Sequence, residues 1–194
     1  MEKKVNLDSF FSSNKNIEIQ SIGYSFNLFL PTFILIISSF FKNYNLTAEL
    51  GILIGLNIIF TQIFSSNARS VIISKKLIGS IFSYIVFRII ISIIIILVNL
   101  IFFNILEFSN NFILFQISIM IILQWVIELI LTFFEIKKKI KAFHLYTFLA
   151  FVFMLCIIID FLYFQNLNFI LFGYNILLLL FFSTAIFKIK KNKI

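Results

Sequence analysis

Cysteine occurs once in this chain, at Cys156, histidine once, at His144, and charged residues make up only 12% of it. A lone thiol forms no intrachain disulfide and builds no thiolate metal site. His144 and Asp160 are sixteen positions apart on one apolar run, about 24 Å along a helix, so they cannot act as a pair. There is no paired-carboxylate metal motif, no lysine in a Gly-rich phosphate loop and no HExxH. The expectation is a protein that is not an enzyme and carries neither metal nor cofactor. Soluble domains are about a quarter charged, and this chain falls far below that. It is 61% hydrophobic, with a mean hydropathy of +1.10 over 194 residues. The class that remains is an all-α, polytopic integral membrane bundle.

A spanning helix needs roughly 20 mostly apolar residues. Six segments qualify: Ser21 to Phe41, Leu46 to Phe64, Ile81 to Phe103, Phe112 to Phe134, Phe143 to Phe164 and Phe169 to Phe187. Residues 1–20 read as a polar leader, 21–187 as a six-helix transmembrane bundle and 188–194 as a basic tail. Within the leader, Val5, Leu7, Phe10 and Phe11 fit either a short interfacial helix or a disordered tail. It lacks the apolar core of a secretion signal.

Basic residues concentrate in three stretches, Arg69 to Lys76, Lys137 to Lys141 and Lys188 to Lys193, with Lys3, Lys4 and Lys15 in the leader. The alternate connections hold Lys42 as their only basic residue. Cytoplasmic loops retain Lys and Arg, so both termini are expected in the cytoplasm and the protein in the cytoplasmic (inner) membrane. The net charge of +8 then reflects topology and attraction to anionic membrane lipids. No basic face is interleaved with aromatics, and nucleic acid is not an expected partner.

Polar residues recur at helical spacing on four of the six segments. The stripes are Asn27, Pro31 and Ser38; Asn57, Thr61 and Ser65; Tyr84, Arg88, Ser92 and Asn99; and Gln124, Glu128, Thr132 and Glu135. Such faces are unfavourable against lipid and should meet one another or line a wet cavity. Arg88 and Glu128 fall at similar depth on antiparallel neighbours. Each charge alone would cost about 2.5 to 3.5 kcal/mol at a helix centre, so an ion pair is expected. A bridge that fixes the bundle is the plainer reading and stands ahead of a role in substrate passage. Pro31 removes a backbone donor in mid-helix and is a hinge candidate, although a static bend is the plainer reading. Asp160 is expected in solvent at the interface, and Trp125 packed between helices. The Ile-rich run Ile89 to Val98 reads as lipid-facing.

The stretch Leu46-Thr47-Ala48-Glu49-Leu50-Gly51 resembles the Glu-x-Gly signature that opens the second helix of Wzx-type polysaccharide flippases. Ser66-Asn67-Ala68-Arg69, Trp125 to Glu128 and Phe134-Glu135-Ile136-Lys137 are similar to the same family. The resemblance covers nearly the whole chain in topology but few positions in motif. It implies one six-helix lobe of a transporter that moves a lipid-linked oligosaccharide between two lobes by alternating access. Arg88, Glu128, Gln124 and Asn57 would line the cavity, and Arg69 would meet a lipid phosphate. Full-length flippases have twelve or more helices, so the partner is expected to be a second six-helix lobe or a second copy of the chain. The alternative is a non-transporting assembly partner or a remnant lobe.

Overall fold

Hydropathy of this kind leaves the backbone one solution, because each N–H and C=O inside an apolar phase must be satisfied within its own segment or a closed barrel. The computed structural model describes residues 7–65, 68–75, 80–164 and 167–191, with most side chains from Gln20 onward. It is 93% helix with no strand among the described residues. The helices are α1 Leu7–Phe40, α2 Tyr44–Ser65, α3 Ala68–Lys75, α4 Ile81–Ile105, α5 Asn111–Ile136, α6 Ile140–Ile159 and α7 Leu167–Lys191. A π-helical turn, Asp160–Phe164, extends α6. Five helices are long and apolar enough to cross a membrane, or six if the bent α1 counts as one span. The side chain of Asn27 and the basic residues Lys3, Lys4, Lys76 and Lys193 lie outside the described residues.

Three boundaries differ from those expected, the last of them at α7, which runs on to Lys191 through the first four residues of the basic tail. No Gly or Pro interrupts residues 7–20, and α1 runs back to Leu7 through most of the polar leader. The basic stretch after α2 is helical from Ala68 to Lys75, and Tyr44–Ser74 counts as a single candidate span of 31 residues by length and composition.

The centre of the bundle is α5. In its spanning core 83% of residues are buried, against 28% for α4. Helices α1, α2, α3, α4, α6 and α7 all pack on it. The outer helices show lipid-type faces: Ile89, Ile90, Ile93, Ile94 and Leu97 are exposed on α4, while Ile91 and Ile95 turn inward against Trp125. The Ile-rich run is thus lipid-facing on one side only. At α1 the approach to α6 is tight, and a Cβ on Gly23 would sit 3.0 Å from a Phe143 ring carbon.

Three turns are made without glycine. Lys42, Glu107 and Lys138 adopt left-handed φ values of 60°, 50° and 54° just past α1, α4 and α5. At Lys42 and Lys138 the backbone forms the paired closing bonds of a Schellman cap: Asn43 N to Ser38 O and Lys42 N to Ser39 O, then Lys139 N to Phe134 O and Lys138 N to Glu135 O. These tight reversals make sequential helices antiparallel.

Contacts sort the connections into two ends. At one, Arg69 meets Glu135, and Lys188 shares a cavity with the α5–α6 turn. At the other, Glu49 is clamped to the α4–α5 connection. Its Oε1 accepts from Ser109 N (2.7 Å) and Oγ (2.8 Å), and its Oε2 from Asn110 N (3.3 Å) and Nδ2 (2.9 Å). The carboxylate of the Glu-x-Gly stretch therefore latches the fold. A Cβ on the following Gly51 would meet only Leu35, at 3.9 Å.

Candidate functional site: a charged cavity beside α5

The Pro31 ring cannot accommodate a straight helix, since it clashes with the carbonyl four residues back. Helix α1 accordingly bends by 50° between Gln20–Phe26 and Phe29–Phe40, one turn before the proline. Beside that bend lies a cavity of about 330 Å³ lined by Pro31, Tyr24, Ser65, Arg69, Trp125 and Glu128, with Ile54, Ile58 and Ile121 as apolar wall. A second cavity of about 480 Å³ shares Ser65, Arg69 and Glu128 and adds Arg88. Pockets of a few hundred Å³ with an apolar wall and a few convergent polar groups are the usual form of small-molecule sites.

Two ion pairs, seven residues apart on α5, supply Arg88, Glu128 and Arg69 to the cavity linings. Arg88 Nη1 donates to Glu128 Oε2 at 2.8 Å and also to the Trp125 carbonyl oxygen. Its guanidinium carbon lies 4.7 Å from the centroid of the Trp125 ring, within cation–π range. Arg88 is 2% exposed while Glu128 keeps 27%, so the carboxylate is the more accessible partner. Trp125 is buried between helices, and its indole Nε1 donates to Ser65 Oγ at 2.8 Å. One turn pair further along, Arg69 Nη2 donates to Glu135 Oε2 at 3.2 Å and Oε1 at 3.4 Å. Arg69 also stacks 3.8 Å above the Tyr24 ring, and the Tyr24 hydroxyl donates to Glu135 Oε2 at 2.8 Å.

The structure places Arg69 and Glu128 on both cavities, Pro31 on the first and Arg88 on the second. It does not bring Asn57 or Gln124 there. Asn57 is fully buried, and its Oδ1 accepts from Asn99 Nδ2 at 3.1 Å, while Asn99 Nδ2 also reaches Ser118 Oγ at 3.2 Å. That knot ties α2, α4 and α5 together further along the bundle. Gln124 is 1% exposed and lies against Tyr146 of α6 and Tyr174 of α7. It shares the Glu128 stripe, but α6 and α7 cover its part of the helix surface. Arg69, expected at a lipid phosphate, has Glu135 and Tyr24 as its partners.

Asp160, expected in solvent, is 2% exposed. It continues the inward row of Tyr146 and Phe153 at seven-residue steps and lines a cavity of about 230 Å³ with Asn43 and Asn168. Tyr24 was not among the expected site residues, although it lies seven residues before Pro31 and so on the same helical face. Among the described residues no three His, Cys, Asp or Glu side chains are grouped to hold a metal ion. No family model, no curated protein and no solved structure matches the chain.

Proposed function

We propose that this bundle is one lobe of a membrane transporter for a lipid-linked oligosaccharide or polysaccharide precursor, oriented with its basic end towards the cytoplasm. The observation that carries the reading is the convergence of Arg69 and Arg88, from different helices, on adjoining cavities that also have an aliphatic wall. An amphiphile with an anionic phosphate head fits that combination, because guanidinium groups bind phosphate through several N–H donors at once. The bend at Pro31 gives α1 a place to move relative to α5. Alternating access would come from rocking against a second six-helix lobe or a second copy. The Lys-rich loops at one end support the orientation through the retention of basic residues in the cytoplasm.

A second reading, a non-transporting assembly partner, is favoured by one specific fact: both arginines already hold carboxylates. The two are separated in inverted vesicles from cells that lack the chain or carry it as wild type, Arg88→Ala or Arg88→Lys. Transport predicts loss of lipid-linked sugar translocation without the chain. It also predicts at least about a tenfold deficit for Arg88→Ala at equal abundance, the cost of one lost charged hydrogen bond, and partial recovery in Arg88→Lys. Unchanged translocation in the deletion would sink the transport reading and leave the assembly role.

A further inference from the structure

Away from the charged cavity, the end of α5 creates a second basic concavity. Its closing turn places Lys138 in the left-handed region and starts α6 at Ile140, so three consecutive lysines crowd one reversal. Helix α7 returns alongside and adds Lys188. Between them lies a cavity of about 630 Å³ lined by Lys138, Lys139, Lys141 and Lys188, with Phe134, Leu145, Phe181 and Ala185 as floor and wall. Among the described residues no carboxylate lines it. The four lysines are exposed, and below them Leu145, Phe148, Leu177 and Leu180 present an apolar surface on α6 and α7.

We infer that this cavity is a binding site for an anionic phospholipid, with the phosphodiester among the lysines and the acyl chains along α6 and α7. The ammonium groups of Lys138, Lys139 and Lys141, gathered at one reversal, repel one another, and an anion among them relieves that repulsion. A soluble anion would gain nothing from Phe134, Leu145 and Phe181, whereas a phospholipid meets both halves of the lining. Basic recesses between membrane helices suit lipid headgroups for this reason. The site shares no lining residue with the cavity beside Pro31, so it stands whether or not the chain transports anything.

The test is native mass spectrometry of the purified chain in a neutral detergent, titrated with phosphatidylglycerol or phosphatidylcholine of matched acyl length. Phosphatidylglycerol should be retained at least about tenfold more strongly, falling with added salt, since each lysine near a headgroup is worth about fivefold. The triple variant Lys139→Gln/Lys141→Gln/Lys188→Gln leaves the Lys138 turn intact and should bring the two lipids together. Lys42→Gln, at the other end of the bundle, should keep the preference. Equal retention of both lipids by the wild type, or an unaltered preference in the triple variant, would overturn the proposal. Should the triple variant not fold, the wild-type salt series decides, because a salt-independent preference is not carried by lysines. Inorganic phosphate at millimolar concentration should not displace the lipid, and displacement would show a simple anion site instead.

Discussion

The two halves of α5 solve the same problem with different chemistry. Towards its C-terminus, Glu128 and Glu135 bind α4 and α3 through arginines, and Glu128, Arg88 and Arg69 border cavities. Towards its N-terminus, Ser118 joins a neutral knot with Asn57 and Asn99 that is sealed, each residue being at most 1% exposed. Amide groups can be closed off because their desolvation is modest and two hydrogen bonds return most of it. Charges cost far more to desolvate, so Arg69, Glu128 and Glu135 keep partial exposure, while the buried Arg88 is held by Glu128, the Trp125 carbonyl and the Trp125 ring. On α5 the charged groups therefore lie beside cavities, while the neutral knot around Ser118 is closed.

The strongest way to break this contrast is Arg88→Leu. It removes the partner of the half-buried Glu128 and should lower stability by about 1.5 to 3 kcal/mol, the range for a hydrogen bond to a charged group. The double variant Arg88→Leu/Glu128→Leu should recover most of that loss in thermal unfolding of the detergent-purified chain. If the single and double variants unfold together, the two groups are not coupled.

Next comes Asn99→Leu in the sealed half. Interhelical hydrogen bonds in membrane proteins average about 0.6 kcal/mol, and Asn99 makes two, so a loss near 1 kcal/mol is expected from the same unfolding curves. A loss as large as that of Arg88→Leu would erase the distinction between the halves.

The smallest energetic effect is expected from Ser65→Cys and Ser118→Cys, each in a Cys156→Ser background, at under about 1 kcal/mol for one hydroxyl bond. Their value lies in labelling. A water-soluble maleimide should modify Cys at 65, beside both cavities, much faster than Cys at 118, which is sealed. Equal rates would mean that the charged half is not open.

Much of the helix inventory was legible beforehand, and the reasons are local. Spans are set by runs of apolar residues, and the Arg88–Glu128 pair followed from depth and cost. Arg69 and Glu135 were each visible, but not as partners, because they are sixty-six positions apart and lie on different helices. Gln124 and Asn57 were misplaced for a related reason. A polar stripe shows which residues share a face, but the angle that each neighbouring helix covers is not written in the stripe. Asp160 lies near the end of its helix, where solvent is the expected surrounding, although the inward row of Tyr146 and Phe153 points to burial.

The sequence by itself determined an all-helical chain with five or six membrane-length helices and basic residues gathered at alternate connections. That follows because backbone hydrogen bonds in an apolar medium must be closed within each segment. Only the tertiary structure decided that α5 is central, that Arg69 and Arg88 border adjoining cavities, and that Asn57 and Gln124 are sealed away from them. Apolar side chains gain little by leaving lipid for one another, so hydropathy does not choose helix neighbours. That choice falls to side-chain fit and to a few polar contacts between residues far apart in the chain.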